Sequence, residues 1–230
     1  MTIQSYTLAT LRSDIRQRLN ESAAAGVWTD AELASHINRA LLRTVIDTEM
    51  DTAEATVSLR LNVAWYNLPS DCILPMLLYG PSAWAYERIF PTSIIALDRN
   101  VEHVGRWEMS GGATSRLFVP FSYDKFILWP PPSSSTSVTL FYVPTPTTLS
   151  ADGDAPNIQL HAIDLIPIYA TYLALRKYDF GKAKLFLSEY KQRLAAVKSE
   201  QSTNSASRPV SMAPAKSWDR AHGNPVIRMQ

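Results

Sequence analysis

The chain has 230 residues, of which 46% are hydrophobic and 19% charged, so it is long enough to bury a substantial core. Twenty-two lysines and arginines against 21 aspartates and glutamates exclude the polycationic composition of many free nucleic-acid-binding proteins. A single cysteine, Cys72, excludes an internal disulfide framework and fits a reducing compartment. Because no apolar run is long enough for a signal core or a bilayer span, we expect neither secretion through a signal peptide nor insertion into a membrane.

The first 52 residues carry two amphipathic patterns that predict helices. The first pattern has apolar residues at helical spacing: Leu8, Leu11, Ile15 and Leu19. We predict that this helix stops near Asn20. Thr29 and Glu32 have the spacing of a capping box, which predicts a second helix from there to about Met50. Together the two helices are predicted to form an N-terminal αα-hairpin.

Residues 53–150 are predicted to be rich in β-strands. Apolar and polar residues alternate from Ala55 onward, which is the period of a half-buried strand. Residues 116–129 predict a β-hairpin that turns near residues 123–125, and residues 137–143 predict a further strand. Residues 70–112 fit helix or strand, and the pattern leaves their structure open.

Helical spacing returns in residues 151–200. Pro167 interrupts the first helical pattern there, so that helix either kinks or has its regular part begin near Asp164. A break around residues 179–181 precedes a last helix, and the pair predicts a second αα-hairpin. The predicted fold class is therefore α+β: a helical bundle of N-terminal and C-terminal αα-hairpins with a β-rich insertion and an extended C-terminal tail.

Charge is distributed unevenly along the chain. Residues 1–175 contain 11 basic and 17 acidic positions, a net charge of −6, whereas residues 176–230 contain 11 and 4, a net charge of +7. The basic run in the last helix indicates either a solvated face or an electrostatic role, and both stay open. Its candidate residues are Lys184, Lys191, Arg193 and Lys198.

Residues 201–230 lose hydrophobic periodicity and are interrupted by prolines. We predict that this tail is extended and that a partner orders it, because it is too poor in apolar residues to fold by itself. The candidate partner contacts are its basic residues and its few large apolar ones: Arg208, Lys216, Trp218, Arg220, Val226, Ile227 and Arg228.

Sequence motifs for catalysis or cofactor binding are absent. The chain contains no Gly-x-Ser-x-Gly, no Gly-x4-Gly-Lys-Ser/Thr and no Gly-x-Gly-x-x-Gly. Asp152-x-Asp154 with Asn157 lacks the other ligands of a calcium loop and is interpreted as a turn. We therefore predict no enzyme activity, cofactor or metal. The histidines lack ligand spacing: His36, His103, His161 and His222.

The order of short motifs over residues 7–198 is more informative than any single motif. The motifs are Leu11-Arg12-x3-Arg16-x-Arg18-Leu19-Asn20, Val27-Trp28-Thr29-Asp30-x-Glu32-Leu33-x3-Ile37-Asn38, Tyr66-x-Leu68-Pro69-x-Asp71, Leu128-x-Pro130-x-Pro132, Thr139-Leu140-x-Tyr142-x2-Pro144, Asp154-x-Pro156, Asp164-x4-Tyr169-Ala170 and Glu189-Tyr190. In this order they resemble the head-to-tail adaptor proteins, also called connector or neck proteins, of tailed bacteriophages.

The resemblance implies a non-catalytic virion protein at the junction of capsid and tail, present in the host cytoplasm during assembly. It implies a dodecameric ring whose two faces contact the portal protein and the tail or next neck or nozzle protein. Genomic DNA would pass through the lumen with transient, non-specific contacts, and no membrane is involved. In this interpretation the C-terminal tail binds the portal, where its basic residues meet acidic surface and Trp218 fills a pocket.

The sequence leaves two other functions open, a DNA-binding module and an enzyme. A DNA-binding module would use the basic C-terminal hairpin and tail to contact phosphates, and its affinity would fall steeply with salt. A virion-associated cell-wall hydrolase would need a carboxylate pair at glycosidase spacing. The acids available for such a pair are Asp98, Glu102, Glu108 and Asp124.

Overall fold

The computed structural model describes residues 6–21, 26–81, 88–100, 115–122 and 124–207. Six helices and seven strands lie within these residues. The elements in chain order are α1 (Leu8–Leu19), α2 (Asp30–Thr48), β1 (Ala53–Leu59), β2 (Trp65–Asn67), β3 (Cys72–Tyr79), β4 (Arg88–Pro91), α3 (Ile94–Asn100), β5 (Leu117–Pro120), β6 (Lys125–Trp129), β7 (Thr136–Pro144), α4 (Leu160–Ile163), α5 (Leu165–Leu175) and α6 (Phe180–Ser207).

The N-terminal helices begin where side chains satisfy free backbone amides. Thr7 and Thr10 form a capping box at the start of α1, and Thr29 and Glu32 form the predicted box at the start of α2. Asn20 adopts the left-handed conformation at the end of α1, where its amide donates to the last turn. The sequence-based limits of both helices are confirmed to within two residues.

Pro167 stands in the first turn of α5, which begins directly after Asp164. The first amides of a helix have no intrahelical acceptor, so a proline costs little at this position. The interpretation that the regular helix begins near Asp164, and does not kink at Pro167, is therefore confirmed.

The seven strands form one mixed sheet in the order β1-β7-β3-β4-β5-β6-β2, and the sheet is nearly closed and barrel-like. The predicted hairpin of β5 and β6 is confirmed, with Val119 opposite Ile127. Strands β4 and β5 are parallel, and Phe90 lies opposite Leu117. The other pairings are antiparallel.

Strand β3 joins the two halves of the sheet, since it pairs with β7 on one side and β4 on the other. Its ladder with β7 shifts register between Cys72 and Leu74 and again between Pro75 and Leu77. Such shifts accommodate a proline, which has no amide to donate. The apolar, proline-containing sequence of β3 therefore has no clean alternation, and this is why residues 70–112 stayed open at the sequence level.

Two main cores lie side by side. The sheet core is built from fully buried residues such as Leu78, Ile89 and Phe118. The helical core contains residues of α1, α2 and α5, together with Val143 of β7 and Leu149 of the loop that follows it. The end of the sheet is thus part of the helical core.

The predicted helical bundle of two αα-hairpins with a β-rich insertion is wrong. The fold is mixed α/β, and the seven-stranded sheet is a principal layer of it. The helices within each predicted pair do contact each other, but α1 and α2 also both pack against α5, and Val143 and Leu149 extend that core into the sheet. Helix α6 also continues through Ser207, into the segment predicted to be an extended tail.

Candidate interaction surfaces

Two arginines on α1 tie the first helix to the start of α2. Arg16 donates from Nη2 to Asp30 Oδ1 at 2.8 Å and to the Trp28 carbonyl at 3.0 Å. Its Nη1 lies 3.7 Å from Glu21, and both of these side chains are nearly buried. Arg12 lies 3.4 Å from Asp30 on the same side. The hydrogen bond from Arg16 lowers the pKa of Asp30, so the ion pair persists into moderately acidic solution.

The loop of residues 150–154 packs against the N-terminus of α1. Asp154 accepts hydrogen bonds from the amides of Ser150 and Ala151 at 2.7 and 2.8 Å, and these bonds lower its pKa. The Leu8 amide donates to the Asp154 carbonyl at 2.8 Å, and Asp152 pairs with Arg12. The interpretation of this segment as a turn is confirmed, because its carboxylates are engaged by amides and an arginine.

A second polar network fixes α6 against α2. Asp47 accepts hydrogen bonds from Tyr190 Oη and from Arg43 Nε, each at 2.8 Å. Burial is the main cause that raises the pKa of Tyr190, and its bond to Asp47 raises it further, so the phenol stays a donor. Arg193 of α6 pairs with Asp164 at 3.2 Å. The position of the long last helix is therefore set by polar contacts as well as by packing.

The four basic candidates of α6 do not share one face. Lys184, Lys191 and Lys198 are exposed and recur every seven residues, which places them in a row at intervals of about 10.5 Å. Among the residues that the structure describes, none of the three forms an ion pair. Arg193 lies about half a turn away, since nine residues separate it from Lys184, and it is held by Asp164.

Exposed apolar side chains occur on several elements of the described chain, and two groups of them include aromatic rings. The α6 turn patch contains Tyr178 and Phe180, which lie at the turn into α6 and are 59% and 60% exposed. The hairpin patch contains Trp65 and Phe121, whose rings meet edge to face at 4.9 Å. Exposed apolar side chains grouped in this way mark sites of interaction with other proteins.

A cleft of about 280 Å³ lies between α2 and the end of α5. Trp28 and Tyr178 form its aromatic wall, with ring centroids 4.7 Å apart and an edge-to-face geometry. The remaining lining comes from both helices and the turn after α5: Glu32, Ser35, His36, Arg39, Leu173, Ala174 and Lys177. We call this the α2–α5 cleft. Sequence analysis missed it, because no local pattern indicates which side of α2 meets α5.

Several sequence candidates lie elsewhere. His36 lines the α2–α5 cleft and His161 is exposed on α4, and in the described ranges no three metal-ligating side chains come together. Asp124 accepts a hydrogen bond from Ser122, which lowers its pKa, whereas a general acid needs a raised one. The structure does not describe the remaining candidates. They are the seven tail residues, two histidines (His103 and His222), and three acids of the hydrolase alternative (Glu102, Glu108 and the Asp98 side chain).

None of the helices in the part of the chain that the structure describes is long and apolar enough to cross a membrane. Exposed aromatic groups such as these are typical of proteins that bind other proteins, and the ion-paired helix junctions hold them in place. Residues 6–213 match the family model described as SU10 adaptor protein, and the chain belongs to this family of phage head-to-tail adaptors. The resemblance seen in the sequence is thereby confirmed. No curated protein matches the chain.

Membership in this family indicates the general role of the protein. The family is one of structural phage adaptors, which places the protein in the virion and in association with portal and tail proteins. Many of the motif residues that resemble the family are structural. Arg12, Arg16 and Asp30 meet at the helix junction, and Tyr142 donates to both carboxylate oxygens of Asp71 at 3.1 Å.

Proposed function

We propose that the protein forms a closed ring, a dodecamer, beneath the portal, where it connects the capsid to the tail and leaves a channel for DNA. The proposed ring is supported by one observation: two exposed apolar surfaces lie on different elements of the chain. A closed ring of identical copies uses head-to-tail contacts, which require two different patches on each copy. The α6 turn patch and the hairpin patch meet this requirement.

Mass photometry of the purified protein, alone and with portal, tests the ring. We expect a species of 25.7 kDa alone and a ring-sized complex on the portal that forms without DNA. The same complex is expected to accept the tail protein or next neck protein on its free face. Persistent monomer without portal binding, together with salt-sensitive association with DNA, would favour the DNA-binding alternative.

For the C-terminal tail, we propose that residues 208–230 bind the portal. The tail carries Arg208, Lys216, Arg220 and Arg228 against one acid, Asp219, and Trp218, Val226 and Ile227 are its large apolar residues. Basic side chains form strong charge-assisted hydrogen bonds with carboxylates, and a buried tryptophan is a frequent binding hot spot.

Truncation after Ser207 removes the tail and leaves helix α6 complete. We expect the truncated protein to lose most of its portal binding in a pull-down while it keeps its thermal unfolding transition. A full-length Trp218→Ala variant is the matched control, and it is expected to bind more weakly than the parent but better than the truncated protein. Unchanged binding after truncation would contradict the role of the tail.

We further propose that Lys184, Lys191 and Lys198 provide the transient contacts with DNA, because they form an exposed row on α6. Each phosphate contact adds about 0.9 to the slope of log affinity against log salt. Changing the three lysines to glutamine should therefore reduce that slope by about 2 to 3. Fluorescence anisotropy with a labelled duplex over a salt series measures it, and Arg193→Gln serves as the control. Equal slopes for parent and triple variant would exclude this row as the contact.

A further inference from the structure

The α2–α5 cleft has the size and walls of a site for a single side chain. Its volume of about 280 Å³ lies just below the range of roughly 300 to 1,000 Å³ that is typical of small-molecule sites. Trp28 is almost fully buried at one wall, while Tyr178 is largely exposed and stands against it. Leu173 lines the cleft beside these rings, and one aromatic or branched aliphatic side chain can pack against them.

The charged groups of the cleft favour an anion next to that side chain. Arg39 and Lys177 both line it and are exposed, and neither is ion-paired with a described residue. Lys177 has its Nζ over the Tyr178 ring at 5.4 Å. Glu32, the acid of the lining, is already engaged: it accepts from the Thr29 amide at 3.0 Å and from Thr29 Oγ1 at 2.9 Å.

His36 adds a buried polar atom without a partner. Its Nδ1 is shielded from solvent and makes no hydrogen bond to any described residue. A buried polar group left unpaired costs free energy, so a ligand that pairs with it gains what the free protein lacks. Burial is the main cause that lowers the pKa of His36, and Arg39 lowers it further, against a smaller opposing effect of Glu32. The His36 ring meets the Trp28 ring edge to face, with 6.1 Å between centroids, and Lys177 and Tyr178 line the same cleft.

We infer that the α2–α5 cleft binds an acidic segment of a partner protein through one apolar anchor residue. The anchor packs on Trp28 and Tyr178, its neighbouring carboxylate meets Arg39 and Lys177, and His36 Nδ1 donates to that carboxylate. A nucleic acid fits less well, because the walls are suited to one side chain. Every residue of the cleft belongs to one copy, and because Tyr178 is also part of the α6 turn patch, the site is tested on the free protein before it joins a ring.

Titration of the full chain with N-acetylphenylalanine, followed by NMR, tests this site. The probe carries one aromatic side chain and one carboxylate, and N-acetylphenylalanine amide is the matched uncharged control. We expect saturable shifts of the His36 ring and Trp28 indole resonances with the acid, at least tenfold weaker binding of the amide, and no matching shifts with inorganic phosphate. A carboxylate beside the imidazole should also raise the pKa of His36, because it favours the charged form.

Single variants distinguish specific binding in the cleft from non-specific attraction of the acid to a basic surface. Arg39→Gln and Lys177→Gln are each expected to weaken the acid about tenfold. Arg176→Gln is the matched control, since this exposed arginine adjoins Lys177 but does not line the cleft. Equal binding of acid and amide, equal shifts with phosphate, or an equal loss in Arg176→Gln would overturn the inference. The absence of any shift at His36 up to the solubility limit of the acid would also overturn it.

Discussion

Replacement of Phe118 by alanine is expected to lower the free energy of unfolding by about 4 kcal/mol. Phe118 is fully buried on β5, and its ring packs edge to face against Phe126 of β6 with 6.5 Å between centroids. Truncation removes the apolar side chain and leaves a cavity that the surrounding strands fill incompletely. Urea unfolding, followed by circular dichroism and by tryptophan fluorescence, measures the loss.

Phe121→Ala is the matched control, because the same residue type is 51% exposed in the loop that follows β5. Its contact with Trp65 is at the surface, so a change within about 1 kcal/mol is expected.

Because Val143 and Leu149 place the end of the sheet in the helical core, we expect both optical signals of Phe118→Ala to shift together. A helical signal that keeps the parent midpoint, while the fluorescence shifts, would show that sheet and helices unfold separately. That result would contradict the shared core.

The helices could be predicted because their limits are set by local chemistry. The capping box of Thr29 and Glu32 and the apolar spacing of α1 lie within one or two turns of sequence. Strand β3 could not be predicted, since its pairing with β7 relies on register shifts around Pro75 and on partners about 65 residues away. The error in fold class follows from this strand, because it is the one that joins the β segments into a continuous sheet.

The candidate site was predictable to a smaller extent than the fold. The order of motifs identified the family without indicating that Arg16 and Asp30 meet. The α2–α5 cleft combines Trp28 and His36 with residues that follow about 140 positions later, and no sequence period connects such distant groups. The row of Lys184, Lys191 and Lys198 was visible as a basic run, but its separation from Arg193 depends on helix geometry and on Asp164.

Replacement of Arg16 by methionine is expected to cost about 2 kcal/mol of stability. Methionine keeps much of the aliphatic stem, so the packing of α1 changes little and the loss reports on the guanidinium. Without it, the Trp28 carbonyl loses its donor at 3.0 Å, and the nearly buried Glu21 carboxylate loses its cation. The junction between α1 and α2 then keeps Arg12 as its remaining ion pair with Asp30.

Arg18→Met on the same helix is the control for Arg16→Met. Arg18 is 29% exposed and pairs with Asp14 and Glu189, whose side chains are 41% and 50% exposed. Exposed pairs contribute little and are screened, so its loss is expected to stay below about 1 kcal/mol and to shrink in high salt. Arg16 also pairs with Asp30, which is 66% exposed, so salt is expected to remove that part of its effect. The part that comes from the shielded Trp28 carbonyl and the nearly buried Glu21 is expected to persist in high salt. Equal losses for the two variants would contradict a special role of the shielded partners of Arg16. A loss at Arg16 that disappears with salt would mean that its contribution comes from the exposed ion pair with Asp30.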